Sequence, residues 1–168
     1  MVIILYYFNI FFIFSILGHF IENIVYTKVD SGILYGLWTP IYGIGTITII
    51  LIYKYIKKFK INKFVNAILL FVFSSLILGI IETLGGYYIE FFFGRIFWNY
   101  KNHFIPIGKY TSLQMMFLWG FSSIVLIYLI MPIVNKFIYK IPNYFTSLFI
   151  FTFFLDLFYT YTRLSIFI

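Results

Sequence analysis

Apolar residues run along this chain in long blocks separated by short polar breaks. The first block, Met1 to Tyr26, is apolar up to Glu22, and roughly 25 residues are enough to span a bilayer as a helix. It has no basic n-region and no small-residue cleavage site, so a removable signal peptide is not expected. A polar break from Thr27 to Gly32 carries Lys28 and Asp30. The stretch from Ser31 to Gly45 holds Gly32, Gly36, Gly43, Gly45 and Pro40. It is poor helix until Pro40, a residue that suits a helix's first turn. The helix starting there ends near Tyr53, which is short for a span unless the Gly-rich part enters the protein as a re-entrant segment. Further blocks run from Phe64 to about Phe92, from about Ser112 to Met131 and from about Tyr144 to Tyr161. A loop from Phe93 to Tyr110 carries Arg95, Trp98, Tyr100, Lys101, His103 and Pro106, and Lys136, Lys140 and Pro142 mark the last loop. This pattern predicts an all-α, polytopic integral membrane helical bundle. It has about five transmembrane helices and a Gly/Pro-rich broken or re-entrant segment, in a single transmembrane domain over residues 1–168.

Composition strengthens that reading. Hydrophobic residues make up 63% of the 168 residues and charged residues 10%, against about 45–50% and about 25% in soluble chains. So few charges cannot cover a soluble domain of this size, which excludes most soluble enzyme classes. Cysteine is absent, so disulfides, thiolate metal sites and cysteine nucleophiles are excluded. His19 and His103 are too few for a multi-histidine zinc site within one chain. The net charge of +7 fits lysines that meet anionic lipid headgroups better than it fits nucleic acid. The aromatic share of 26% reads mainly as apolar filler favoured by A/T-rich codons. With five spans, loops alternate sides. Lys54, Lys57, Lys58, Lys60, Lys63, Lys136 and Lys140 fall on one side; Lys28, Arg95, Lys101, Lys109 and Arg163 fall on the other. The denser side is expected to be cytoplasmic, with the N-terminus inside a bacterial cell membrane.

The few acids are placed distinctively. Glu82 lies about 27 Å of helix beyond Phe64, and Asp156 about 20 Å beyond Asn143. Both, with Glu22, fall in the outer half of their spans. Ser15, Gly18, His19, Glu22 and Tyr26 share one helix face; Gly79, Glu82, Gly86 and Glu90 share another; Thr152, Asp156, Tyr159 and Arg163 share a third. An acid facing lipid costs roughly 2.5–3.5 kcal/mol even on lenient scales, so these stripes face protein or water. The expectation is that Glu22, Glu82, Glu90 and Asp156 point into one outward-facing polar cavity, rimmed by the Gly-rich segment and the Trp98 loop. The competing reading satisfies them locally: Glu22 on the amides of the Gly-rich segment, Asp156 with Arg163, Glu90 with Arg95. His19 is expected to pack with a hydrogen bond rather than relay protons. Trp38, Trp98 and Trp119 are expected to anchor at the membrane interface, with the Trp98 loop open to substrate contact. The chain has no phosphate-binding loop, zinc-protease pair or nucleophile elbow, and no cofactor is implied.

Several of these residues occur in an ordered set. Gly18 and Glu22 are followed by Gly36, Pro40-Ile41-Tyr42-Gly43 and Gly45. Then come Glu82, Gly86 and Glu90, then Trp98 and Tyr100, then Gly108 and Trp119-Gly120. From about Phe8 to Ile130 the chain resembles the ABC-transporter type IV family, also called CmpB-like, small bacterial membrane proteins frequent in Firmicutes. It departs from the family pattern at Leu37, where a proline is frequent, and at Asn99, where the family often has aspartate. It departs again at Ile105 and Ile107, where polar residues are usual. The resemblance implies a permease-like subunit, hence a homo-oligomer or partner membrane subunit and, where ATP is used, a separate ATPase. The combined expectation is a cation or a cationic substrate group bound by Glu22, Glu82, Glu90, Tyr42, Trp98 and Tyr100. Gly18, Gly36, Pro40, Gly43, Gly45, Gly86, Gly108, Trp119 and Gly120 would shape the backbone around it. Two rival readings remain open here: an intramembrane enzyme acting on lipid or cell-envelope precursors, with Glu82 or Glu22 as general base, and a non-catalytic membrane scaffold.

Overall fold

The structure, a computed structural model, describes residues 2–26 and 33–164. The polar break with Lys28 and Asp30 lies outside the described residues, as do Ser31 and Gly32. Helices α1 (Val2–Tyr26), α2 (Pro40–Ile56), α3 (Lys63–Phe93), α4 (Leu113–Val125), α5 (Met131–Ile138) and α6 (Asn143–Leu164) carry the fold. Among the described residues, four helical runs are long and apolar enough to cross a membrane: Ile3–Ile24, Lys63–Phe93, Leu113–Ile138 and Asn143–Arg163. Helix α2, with 17 residues, reaches only about 26 Å, the short end of what spans a bilayer. The chain is an all-α membrane protein.

The boundaries differ from expectation in two instructive places. Helix α2 runs past Tyr53 to Ile56 and takes in Lys54, because a cation in the last turn is favoured by the helix dipole. The fourth block does not end at Met131. Residues Leu126–Ile130 form a π-helical turn in which Met131 N bonds Leu126 O, and α5 continues to Ile138. Pro132 can offer no N–H to the ladder, and a π turn is one way a helix absorbs such a gap without stopping. Lys136 therefore sits in the last turn of a helix, not in a loop.

The chain divides into two compact units, Met1–Ile44 with Val134–Ile168, and Gly45–Ile133. In the first, α1 and α6 pack through rings. Phe12 stacks on Phe149 at 5.6 Å and meets Phe153 edge-on at 5.7 Å. A hydrogen bond of 2.7 Å from the Thr146 hydroxyl to Asn9 Oδ1 is buried between the same helices. Apolar helices gain nothing by leaving lipid, so close packing and buried hydrogen bonds carry such pairs. The start of α2 presses against α1: a Cβ on Gly18 would overlap the Tyr42 ring, and one on Gly43 would overlap Ser15.

In the second unit α3 and α4 lie together. Asn62 caps α3 by accepting from Val65 N at 2.8 Å, and Gly94, at φ 60°, ends it. Gly79 faces Met116, and Gly120 faces Ser75 and Phe71. Gly45, expected with Gly36 and Gly43 to shape the backbone around a binding site, meets Leu78 at an ordinary contact of 3.6 Å. The loop before α4 contains a small hairpin that the sequence reading did not foresee. Strands β1 (Pro106–Ile107) and β2 (Thr111–Ser112) pair antiparallel, with Ile107 opposite Thr111, and the turn passes through Gly108 at φ 78°. Two-residue strands are too short to leave an alternation in the sequence.

Candidate functional site

In the second unit Glu82 projects from α3 toward α4 and the hairpin, and only 4% of it is exposed. Three neutral groups donate to its carboxylate. Tyr100 Oη reaches Oε1 at 3.1 Å, while Thr111 Oγ1 and Trp119 Nε1 reach Oε2 at 3.0 and 3.2 Å. One turn on, Gly86 admits the ring of Tyr110, which is almost wholly buried. Another turn on, Glu90 pairs with Lys109 and accepts from Tyr110 Oη at 2.5 Å. The expected partner of Glu90 was Arg95; Lys109 takes that place because the hairpin folds back along α3. The bond to Glu90 pushes the Lys109 ammonium pKa up. Burial, and then the bond to Glu90, push the Tyr110 phenol up.

Trp98 Nε1 donates to Tyr110 O at 3.2 Å, and Tyr100 N donates to Lys109 O at 2.9 Å. His103 Nδ1 lies 3.0 Å from the hydroxyl of Ser112, which caps α4 by accepting from Met115 N. Glu82, Gly86, Glu90, Trp98, Tyr100, Gly108 and Trp119 thus converge on one clasp that holds the hairpin to α3 and α4.

In the first unit Glu22 stands near the end of α1, part-buried. The Tyr42 and Thr39 hydroxyls are the groups that act on its carboxylate. The Thr39 oxygen, buried at the start of α2, completes no hydrogen bond. His19 Nε2 lies 3.0 Å from Asn23 Nδ2.

The Gly-rich segment is non-helical at residues 33–39 and is tied down by Asp156 of α6, not by Glu22. Asp156 Oδ1 accepts from Tyr35 N at 3.0 Å, and Oδ2 accepts from Gly36 N and Trp38 Nε1, each at 2.7 Å. Thr39 N donates to the backbone oxygen of Ser15 at 3.0 Å. Arg163, the expected partner of Asp156, donates instead to Tyr35 Oη at 2.8 Å. The indole N–H groups of Trp38, Trp98 and Trp119 are all spent on protein acceptors. Sequence reading missed Thr39, Thr111 and Ser112; their one signal was a hydroxyl residue just before a predicted helix start.

The same ordered residues can be compared with known families. Residues 9–162 match the model of the family described as Putative ABC-transporter type IV. The chain belongs to this family. The match reaches beyond the segment that carried the resemblance and takes in α5 and most of α6. No curated protein and no solved structure matches the chain.

Proposed function

We propose that this member of the ABC-transporter type IV family is a permease-like membrane subunit in which at least one of the buried acids Glu22 and Glu82 receives a cation or the cationic group of a substrate from the outer face. The observation that supports this most is the placement of Glu22 and Glu82. Each is held inside its own unit among hydroxyl groups of neighbouring elements. Carboxylates placed inside membrane helices at such cost mark ligand pathways more often than they serve packing alone. The broken backbone at residues 33–39, beside Glu22 through Thr39, has the character of the unwound segments that coordinate ions in transporters. The charge pattern supports a cytoplasmic N-terminus in a bacterial cell membrane. Family membership supports assembly with another copy or another transporter component, with any ATPase on a separate chain, since this one has no phosphate-binding loop.

The test replaces Glu22 and Glu82 separately with Gln in cells that depend on the protein. Membrane insertion is expected to persist, while growth or uptake falls in at least one variant. If both insert normally and behave as wild type, the reading is wrong.

A further inference from the structure

The two units contain the same local construction, and comparing them shows which acid is built to take a ligand. In α1, Glu22 follows Ser15 by seven residues; in α3, Glu82 follows Ser75 by seven. Each serine hydroxyl is buried, has no hydrogen-bond partner and is pressed against a glycine of the next long helix: Gly43 for Ser15, Gly120 for Ser75. Each glutamate meets a threonine just before that helix: Thr39 for Glu22, Thr111 for Glu82. The hairpins α1–α2 and α3–α4 are therefore two versions of one motif: a serine and an acid two turns apart on the first helix, a threonine just before the second helix and a glycine on it.

The versions differ in how far the acid is satisfied. Around Glu82 the duties are divided. Ser112 caps α4, so Thr111 is free to donate to the carboxylate, and Tyr100 and Trp119 add two more donors. The result is closed, with Glu82 almost fully covered. Around Glu22 a tyrosine is present, since the Tyr42 hydroxyl acts on the carboxylate, but the indole donor is missing. Gly18 stands where Tyr42 leans in, and Trp38 is committed to Asp156. Thr39 is alone at the start of α2, more than nine-tenths buried, with its hydroxyl at the carboxylate and completing no hydrogen bond. Lys109 neutralises Glu90, but among the described residues no cation plays that part for Glu22. A buried polar oxygen without a protein partner calls for a ligand or an ordered water.

Building on the transport reading above, we infer that the Glu22 version is the open one and binds a monovalent cation between the Glu22 carboxylate and the Thr39 hydroxyl, while the Glu82 version is a permanent structural clasp. One carboxylate balances one positive charge, and the remaining groups are neutral oxygens, the donor set of a hard cation or a protonated amine. A divalent ion would leave uncompensated charge among apolar helices. Sodium, potassium and a primary ammonium share this chemistry.

The experiment follows thermal unfolding of the purified full chain in detergent against sodium, potassium and methylammonium chloride. Choline chloride serves as the control, because its quaternary head cannot donate hydrogen bonds and its methyl groups keep oxygen ligands away from the charge. A ligand that binds only the folded state raises the unfolding temperature with concentration. The wild type is expected to gain about 3 °C or more over choline with at least one of the three salts; the salt acting at the lowest concentration identifies the cation. Glu22→Gln should abolish the gain, and Thr39→Val should raise the concentration needed at least tenfold. Trp119→Phe should lower the unfolding temperature in every salt yet keep the gain. No cation-specific gain in the wild type, or a gain that survives Glu22→Gln, overturns the inference. A gain lost in Glu82→Gln but kept in Glu22→Gln overturns it while leaving the transport reading intact. That reading falls only if both Gln variants behave as wild type in cells.

Discussion

Asp156 shows how one side chain can decide a local structure. Its two oxygens take the amides of Tyr35 and Gly36 and the indole of Trp38, so a segment that cannot be helical has its backbone donors satisfied by a helix far along the chain. Asp156→Asn keeps the shape but turns an amide NH2 toward donors. Leaving a buried donor unsatisfied costs about 1–3 kcal/mol. The expected outcome is faster hydrogen exchange at Tyr35 and Gly36 with α6 still protected; unchanged exchange at both amides would contradict this account. From the sequence it was plain that Asp156 had to be satisfied. Which group satisfied it was not, because Arg163 at i+7 looked the nearer partner and 120 residues separate Asp156 from Gly36.

At the scale of elements, the α3 stripe of Gly79, Glu82, Gly86 and Glu90 works as a track. Met116, Tyr100 with Thr111 and Trp119, Tyr110, and Lys109 each dock at one position along it. The stripe was legible because a helix repeats its face every three or four residues. Its partners were not, since the hairpin is held by contacts to α3 and has almost no pattern of its own. Gly86→Ala should push Tyr110 out of its seat, a cost of about 1–3 kcal/mol for overpacking. It should also loosen the bonds from Trp98 and to Glu90 that Tyr110 makes. Gly45→Ala, with room for the added carbon, should be neutral or stabilising, because alanine favours a helix by about 1 kcal/mol over glycine. Thermal unfolding of the two variants side by side checks this; equal losses would mean that the close approach at Gly86 carries no special weight.

At the scale of the whole molecule, the orientation prediction rests on the lysines at the end of α2. A cysteine replacing Lys58 should react with a membrane-impermeant thiol reagent only from the cytoplasmic side, and labelling of intact cells from outside would invert the assignment. The sequence by itself determined the membrane class, most of the helices and the α3 face that carries Glu82. These follow from local quantities: apolar length, helical period and the cost of a charge in hydrocarbon. Only the tertiary structure decided how each acid is satisfied. It gave Glu90 to Lys109, Asp156 to the broken segment and Glu82 to a closed clasp, and it set Glu22 beside the Tyr42 and Thr39 hydroxyls. Hydrogen bonds depend on a few tenths of an ångström between residues remote in sequence, and no periodicity along a single strand of text carries that distance.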